Sequence, residues 1–262
     1  TVVVAAEVAG IARSSRGAYT REYAALQALY EATGGTRWQP ASRRSEWLNG
    51  YDPCNTTAQW QGISCVCNPC ARATCCNEEG YSIQKLNLDY SGLIGTLPTQ
   101  LGMLSRLNTF QVSSNMLSGS IPIELSKTQL SRAFEVQENQ LSGFIPSEFG
   151  KLFQRQSAAA TYVALYSNSI SGTLPAQLGR MTHMSRLHIN QNRLSGTLPS
   201  SFMSLEPVGG GTGAGGTGFS DFYGACILLN TQSRRLGATQ SPNLGADDTN
   251  NFACPLPRLM NA

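Results

Sequence analysis

The residue types that usually carry out catalysis are few and badly spaced in this sequence. The two histidines are His183 and His188, and adjacent carboxylates occur as Glu78-Glu79 and Asp247-Asp248. One histidine precedes a strand of the repeat described below and the other lies on it, so the two rings are expected on different surfaces. Neighbouring carboxylates in a loop do not oppose each other across a cleft, as paired acid and base groups must. We therefore predict no catalytic site, no enzyme activity and no cofactor.

Cysteine gives the strongest chemical signal. Six cysteines lie between positions 54 and 76 and two lie near the C-terminus: Cys54, Cys65, Cys67, Cys70, Cys75, Cys76, Cys226 and Cys254. Even, clustered numbers favour a disulfide framework formed in an oxidising compartment. The alternative is zinc held by the last four cysteines of the first cluster, although adjacent cysteines make a poor tetrahedral chelate. We therefore predict no metal site.

We expect Cys54 to pair with Cys65, and Cys226 with Cys254. The other four cysteines are expected to pair among themselves, which leaves three arrangements open. The bond between adjacent Cys75 and Cys76 is the least favoured because its geometry is strained. Asn55 begins the only N-x-S/T sequon, which predicts a glycosylated loop of a secreted or cell-surface protein, unless the sequon occurs by chance.

The composition excludes several classes of partner. Only 13% of the 262 residues are charged and the net charge is +3, whereas an ordinary soluble domain is about 25% charged. Basic residues cluster no further than two adjacent arginines, so we expect no nucleic acid. The longest apolar stretch, TVVVAAEVAGIA, is broken by Glu7 and is shorter than the roughly 18 residues of a membrane helix, so we expect no membrane insertion. Because the sequence begins at Thr1 rather than Met, we expect that a leader was removed.

A repeat of 24 residues organises the middle of the chain. Leu-Pro or Ile-Pro recurs from position 97 with spacings of 24, 24, 29 and 24 residues. A glycine stands two residues before each of these dipeptides, at Gly95, Gly119, Gly143, Gly172 and Gly196. Six residues before each dipeptide the chain has Ser91, Asn115, Asn139, Asn168 and Asn192. Agreement of several columns in every copy predicts one structural unit repeated along the chain.

The columns of the repeat have separate physical roles. Apolar residues three and five positions before the asparagine alternate with polar ones, which predicts a short strand with one buried face. These pairs are Leu86 and Leu88, Phe110 and Val112, Phe134 and Val136, Val163 and Leu165, and Leu187 and Ile189. The asparagine amide can bond the backbone of the adjacent turn, so stacked copies are expected to form a ladder. Ser91 is expected at a partly solvated end of this ladder.

The repeat resembles the plant-type leucine-rich repeat, LxxNxLSGxIPxxLGxL. Its best copies are residues 115–122 (NMLSGSIP) and 192–199 (NRLSGTLP). Residues 28–35, with the tryptophans that follow, look like the N-terminal cap of such proteins. Residues 251–257 (NFACPLP) resemble their C-terminal closure. The resemblance implies an α/β fold, a curved right-handed solenoid with disulfide-containing caps. It also implies a short parallel sheet on the concave face, a second short β edge, and loops or 3₁₀ turns on the convex face.

Departures from the repeat divide the chain into four expected parts. These are an N-terminal extension at 1–18, a cap with a helix and six cysteines at 19–84, about five repeats at 85–205, and a glycine-rich insertion with the C-terminal cap at 206–262. Thr20 is expected to cap a helix that ends near Thr33. The extension is either a frayed tail or an arm that docks on another chain.

Two irregular segments interrupt the later repeats. The spacing of 29 predicts a five-residue insertion within 150–160 that bulges from the convex side. The run GGGTGAGGTG at 209–218 reads as a surface excursion, since no Gly-Lys-Ser/Thr follows it as in a phosphate-binding loop. A late strand is expected at 227–229.

The polar strand positions form a row of side chains on the concave face. The expected partner-binding residues are Asn87, Asp89, Gln111, Ser113, Glu135, Gln137, Tyr162, Tyr166, Arg186 and His188. Tyrosine together with arginine is the composition of binding hot spots. The alternative is that the tyrosines only cover the edge of the sheet.

Two functions fit this reading. The first is a secreted or cell-surface, non-catalytic repeat protein that binds a protein or glycan, as the resemblance to receptor ectodomains and polygalacturonase inhibitors implies. The second is a structural subunit of an extracellular assembly, such as a cell-surface coat or flagellar filament, whose partners are copies of itself or other subunits. The N-terminal extension, the glycine-rich run and the low charge favour the second.

Overall fold

The computed structural model describes residues 16–40, 47–48, 53–54, 60–67, 81–152, 161–181, 184–197, 199–201 and 251–253. Helix α1 covers Arg16–Ala32, and 3₁₀ helices cover Gly35–Arg37, Thr99–Met103, Ile123–Lys127, Ser147–Lys151 and Ala176–Arg180. The strands are β1 Ile63–Cys67, β2 Tyr81–Asn87, β3 Ile94–Thr96, β4 Thr109–Gln111, β5 Met116–Ser120, β6 Ala133–Glu135, β7 Gln140–Ser142, β8 Thr161–Ala164, β9 Ser171–Gly172, β10 Met184–His188, β11 Arg193–Thr197 and β12 Asn251–Ala253.

Each repeat gives one strand to a wide sheet and one to a narrower sheet. The wide sheet has the order β1-β2-β4-β6-β8-β10, and the narrower sheets are β3-β5-β7 and β9-β11-β12. Strands β1 and β2 pair antiparallel, whereas the strands of successive repeats pair parallel. Phe110 pairs with Leu86 on one side and Phe134 on the other, so each neighbour is 24 residues away. The expected α/β solenoid with a second β edge is confirmed.

The apolar columns of the repeat stack into one continuous core. Leu86, Phe110 and Phe134 are fully buried. The ring of Phe110 stacks on Phe134 with centroids 5.8 Å apart, and Phe134 meets Phe149 edge-on at 5.4 Å. Because burial of one such side chain contributes roughly 1.5–3 kcal/mol, the core depends on the copies staying in register.

The asparagine side chains form the expected ladder between turns. Asn139 accepts a hydrogen bond from Leu117 N–H at 2.9 Å and donates through Nδ2 to the carbonyls of Val112, Val136 and Gln137 at 3.0–3.1 Å. One amide therefore joins its own turn to the preceding repeat. The same pattern is made by Asn115, Asn168 and Asn192.

The environment of Ser91 differs from the expectation. Its side chain is fully buried rather than partly solvated, because the N-terminal cap covers this end of the stack and Gln39 N–H donates to the Ser91 carbonyl at 2.8 Å. The Ser91 hydroxyl donates to the carbonyl of Asp89 at 3.0 Å. A serine thus closes its own turn, where an asparagine would also reach back to an earlier one.

The N-terminal cap is built around a cluster of aromatic rings. Trp47 lies between Trp38 and Trp60, with centroids 4.7 and 5.1 Å away. Tyr30 and Tyr23 of α1 contact the outer tryptophans edge-on, at 5.2 Å from Trp38 and 5.6 Å from Trp60. Edge-on rings bury large apolar areas and gain from their opposed quadrupoles, so this cluster anchors α1 over the first repeat.

Helix α1 begins earlier than the sequence predicts. It starts at Arg16, so Thr20 lies inside the helix rather than at its cap, and the expected extension loses its last three residues to the helix. Residues 16–19 contain Gly17, which weakens a helix by about 1 kcal/mol relative to alanine, but no proline, so the helix can continue upstream. Its C-terminal end agrees with the expectation, because the Thr33 carbonyl accepts hydrogen bonds from Ile94 N–H at 3.0 Å and Trp38 Nε1 at 3.1 Å.

Cys54 and Cys65 form a disulfide with their Cα atoms 5.6 Å apart, the pairing expected from the sequence. Cys67 ends β1, and its side chain is not among those described. The other five cysteines lie outside the described residues, so their pairing stays a prediction.

Other expectations also fall outside the described residues. They concern the N-terminal extension before Arg16, Asn55, residues 153–160 of the insertion, His183, the glycine-rich run, and the late strand at 227–229. Of the C-terminal closure, β12 is described and pairs parallel with β11. In the part of the chain that the structure describes, no helix has the length and apolar character needed to cross a membrane.

Gly95 lies where the first repeat meets α1. Its φ is 129°, and a Cβ there would come within 2.0 Å of the Ala32 carbonyl oxygen. Nearby Gly92 also has a positive φ, 66°, but a Cβ there would meet no atom within 4 Å. Alanine substitutions at the two glycines therefore distinguish the cost of backbone strain, which both share, from the cost of a steric clash, which only Gly95 adds.

Replacing Asn139 with alanine should destabilise the protein more than replacing Ser91 does. The first change leaves Leu117 N–H and three carbonyls without the Asn139 amide, a penalty of about 1–3 kcal/mol. The second removes the serine hydroxyl, whose bond to the Asp89 carbonyl stays within one turn. Denaturant midpoints compare the variants, and equal shifts would contradict the described ladder.

Gly95→Ala should lower the melting temperature more than Gly92→Ala. Both changes place a Cβ on left-handed backbone, which costs roughly 1–2 kcal/mol, but only the first drives it into the carbonyl of Ala32. Thermal unfolding followed by circular dichroism measures the difference. If the two variants melt together, α1 does not lie against β3 in this way.

Candidate binding surface on the concave face

The concave face is the side of the wide sheet opposite the core. Parallel strands bring side chains one repeat apart to about 4.8 Å, so the polar positions form continuous rows. The structure gathers the predicted binding residues on this face: Asn87, Asp89, Gln111, Ser113, Glu135, Gln137, Tyr162, Tyr166 and His188. Arg186 pairs with Tyr162 in the backbone register, but its side chain is not described.

One row passes hydrogen bonds from strand to strand toward a carboxylate. Asn87 Nδ2 donates to Gln111 Oε1 at 3.3 Å, and Gln111 Nε2 donates to Glu135 Oε1 at 2.9 Å. All donors in this chain are neutral amides. The row therefore ends on an anion at β6.

Glu135 is in an unfavourable place for its charge. Burial is the largest cause that raises its pKa, and the negative charge of Asp89 raises it further. Hydrogen bonds from Gln111 and Gln137 and the charge of Lys85 act in the opposite direction without cancelling the rise. A cation beside Glu135 would relieve this cost.

Ser113 and Gln137 are buried, which corrects their prediction as exposed binding residues. Ser113 is 4% exposed, and both its N–H and its hydroxyl donate to Asp89 Oδ1 at 2.6 Å. Gln137 is 8% exposed, and its Oε1 has no hydrogen-bond partner among the described residues. The Ser113 hydroxyl is bonded to the Asp89 carboxylate of the neighbouring repeat, so it faces that side chain rather than solvent.

An aromatic group lies on the two strands next to Glu135. The hydroxyl of Tyr162 is 3.0 Å from His188 Nδ1, and their rings are nearly perpendicular at 87° with centroids 5.2 Å apart. The ring of Tyr166 is 6.3 Å from that of His188. Ala164 lies between the tyrosines on β8 and pairs in register with both Glu135 and His188. We call Tyr162, Tyr166 and His188 the aromatic cluster.

A second carboxylate adjoins the aromatic cluster. Glu138 Oε2 accepts from the Ser114 hydroxyl, and its Oε1 accepts a longer bond of 3.4 Å from the Tyr166 hydroxyl. The pKa of Tyr166 is raised to about 12, mainly by burial and further by the negative charge of Glu138. The Tyr166 phenol is therefore a stable hydrogen-bond donor at neutral pH.

Glu138 belongs to a column that the predicted binding set leaves out. The residue before each ladder position has a positive φ of 52–56°, at Tyr90, Ser114, Glu138, Ser167 and Gln191. This left-handed turn breaks the strict alternation of a strand, so its side chain can approach the concave row. The signal in the sequence is the position immediately before each asparagine, whereas period-2 alternation alone misses it.

These residues offer hydrogen-bond acceptors and aromatic surface rather than a catalytic constellation. The described residues hold no group of three His, Cys, Asp or Glu side chains arranged to bind a metal ion. The arrangement is suited to recognition of a donor-rich or cationic group.

The ionisation of Tyr166 should be late and depend on Glu138. Tyrosinate absorbance should show a group titrating near pH 12 that Tyr166→Phe removes, and Glu138→Gln should lower its pKa because a nearby negative charge is lost. Between the ordinary tyrosine value of about 10 and about 12, the folded state retains a proton that the unfolded chain loses. Stability should therefore fall as pH rises through this window, and less steeply for Tyr166→Phe. An unchanged titration curve in Tyr166→Phe would contradict this assignment.

Comparison with known proteins places these repeats in a wider group. Residues 183–205 match the family model Leucine Rich Repeat. The BIR2 ectodomain from Arabidopsis thaliana is 26% identical, with a TM-score of 0.54 over 70% of this chain and 86% of that one. The BIR3–SERK2 complex from Arabidopsis thaliana matches at 28% identity and a TM-score of 0.51, over 68% and 85% of the two chains.

A further likeness concerns the fold alone. The ectodomain of the receptor kinase SOBIR1 from Arabidopsis thaliana is 23% identical, with a TM-score of 0.53 over 71% of this chain and 87% of that one. No curated protein matches the sequence significantly. The 24-residue motif, the stacked parallel strands and the two likenesses above 25% identity agree: the chain carries leucine-rich repeats and resembles plant receptor ectodomains.

Proposed function

We propose that the chain is a non-catalytic protein-binding module that recognises an extracellular protein through its concave face. The observation that carries this proposal is the aromatic cluster, formed by Tyr162 on β8, Tyr166 two residues after β8 and His188 on β10. Aromatic side chains fixed in place on a rigid sheet contribute contact area with little loss of conformational entropy.

The rest of the concave face supports the same assignment. In the rows around Gln111 and Ser113, amides and hydroxyls bond neighbouring side chains, so these residues shape the surface more than they attract a partner. Energetic anchors are usually few and lie within such neutral surroundings. The cluster and the carboxylates beside it are therefore the expected anchors.

Several observations support an extracellular protein as the partner. The Cys54–Cys65 disulfide is typical of an oxidising compartment, and Asn55 provides a sequon next to it. One structural relative is a complex of two proteins, BIR3 and SERK2. A glycan could also stack on tyrosines, but the negative charge of the carboxylates beside them favours the cationic side chains that a protein supplies and a neutral glycan lacks.

Replacing Tyr162 and Tyr166 together with alanine should weaken partner binding by at least about 2 kcal/mol. The assay selects peptides from a random display library on the native chain and then measures their affinities for the double variant. The melting temperature should change little, because both side chains are partly exposed. Phe144→Ala is the control, since Phe144 is a 69% exposed aromatic residue outside the concave face and should leave binding unchanged.

Peptides that bind the double variant as tightly as the native chain, or selections that yield no tyrosine-dependent binder, would contradict the proposal. The alternative, a subunit of an extracellular assembly, makes the opposite prediction. In that case the chain should associate as its concentration rises, and deletion of residues 1–15, which leaves α1 whole, should abolish association. Sizing at several concentrations distinguishes the two functions, because a binding module should stay monomeric.

A further inference from the structure

We propose that the concave face selects a guanidinium group, the side chain of an arginine in the partner, and holds it between the carboxylates of Glu135 and Glu138 and the rings of Tyr162 and Tyr166. This inference rests on the proposed function and specifies the chemistry of its partner. Glu135 ends β6 and Glu138 lies in the turn after it, whereas Tyr162 lies on β8 and Tyr166 lies two residues beyond its end.

The first argument is an excess of acceptors over donors among the described side chains at this place, which do not include that of Arg186. Glu135 and Glu138 receive hydrogen bonds from neutral groups: the amide of Gln111 and the hydroxyls of Ser114 and Tyr166. Among the described residues neither carboxylate forms an ion pair, and Lys85 is the smallest of the causes that act on the pKa of Glu135. A ligand that only donates hydrogen bonds would complete the site.

Gln137 gives a second and independent argument. It lies between the two carboxylates in the sequence, is 8% exposed, and is close enough to Glu135 to affect its pKa through a side-chain hydrogen bond. Its Oε1 is buried and lacks a partner among the described residues. An unpaired buried acceptor is costly, and its partial negative charge adds to the negative potential of the neighbouring carboxylates.

The position of the rings supports a cation rather than a neutral donor. Glu135 pairs in register with Ala164, whose neighbours two positions away on either side are Tyr162 and Tyr166. Ala164 is itself fully buried, so the surrounding side chains cover its methyl group, and a cation would approach Glu135 and the two tyrosines from the solvent side. Tyrosine faces attract cations by cation–π interaction, and this attraction is stronger where water is partly excluded.

Arginine fits this arrangement better than lysine. Its planar guanidinium carries five N–H donors, can bond carboxylates along one edge and can stack a face on a tyrosine ring. The ammonium of lysine is a compact and strongly hydrated charge with no flat face. We therefore expect the site to prefer arginine over lysine, and lysine over any neutral residue.

The test uses the peptides that a random display library yields on the native chain. Enriched peptides should share an arginine, and a synthetic copy with citrulline in its place should bind at least about tenfold more weakly, since the isosteric urea carries no charge. Affinity of the arginine peptide should also fall as salt is added. Enrichment of neutral or acidic peptides, or equal affinity of the citrulline peptide, would overturn the inference.

Variants of the chain assign the selectivity to these carboxylates. In Glu135→Gln combined with Glu138→Gln, arginine and citrulline peptides should bind within about twofold of each other, because the amides keep the shape and lose the charge. Glu124→Gln, on the 3₁₀ helix Ile123–Lys127 outside the concave face, is the matched control and should keep the preference. A preference for arginine that survives in the double variant would place the cation elsewhere and refute the site.

The results separate this inference from the proposed function. Binders that need the tyrosine pair but carry no arginine would leave the proposed function intact and refute the guanidinium site. Absence of any binder that needs the tyrosine pair would refute both. Melting temperatures of the carboxylate variants show whether these variants fold. If they fail to fold, the salt and citrulline measurements on the native chain still decide the inference.

Discussion

The hydrogen bonds of the ladder asparagines are the interaction on which the rest of the structure depends. A chain that turns sharply after each short strand leaves backbone N–H and C=O groups inside, where water does not reach them. Each asparagine amide satisfies such groups in two successive turns, and so fixes the distance and register between repeats. Asn168 makes the full set of bonds even though its repeat is five residues longer, since its Nδ2 reaches the carbonyl of Val136 at 3.0 Å and its Oδ1 accepts from Leu141 N–H at 2.9 Å.

Fixed register has direct consequences on the concave face. Residues one repeat apart are held side by side. The register therefore decides which side chains of successive repeats are neighbours, and these neighbours give each row its polarity. Glu135 thus becomes the end of an amide chain, while Ala164 opposite it is fully buried between the positions of two tyrosines. Binding to such a surface requires little ordering of the protein, which reduces the entropic cost of association.

Likeness to receptor ectodomains explains the scaffold but not its ligand. A solenoid presents rows of side chains whatever their identity, and function resides in the site carried by the fold. The charge, burial and contacts of the carboxylates and tyrosines on and just after β6 and β8 define what can bind this face. This is why the proposed ligand follows from local electrostatics and not from the repeat.

The sequence by itself determined the repeat, the buried positions such as Phe110 and Val136, the asparagine ladder and the Cys54–Cys65 pair, because each depends on periodicity or on local spacing. It could not determine the burial of Ser91, Ser113 and Gln137, which depends on what the cap and the neighbouring strands place over them. It also could not join Glu138 to Tyr166, because that contact links residues 28 apart through a left-handed turn and a strand register. Periodic burial is written into each copy of a repeat, whereas the chemistry of its exposed face arises only when different copies are brought side by side.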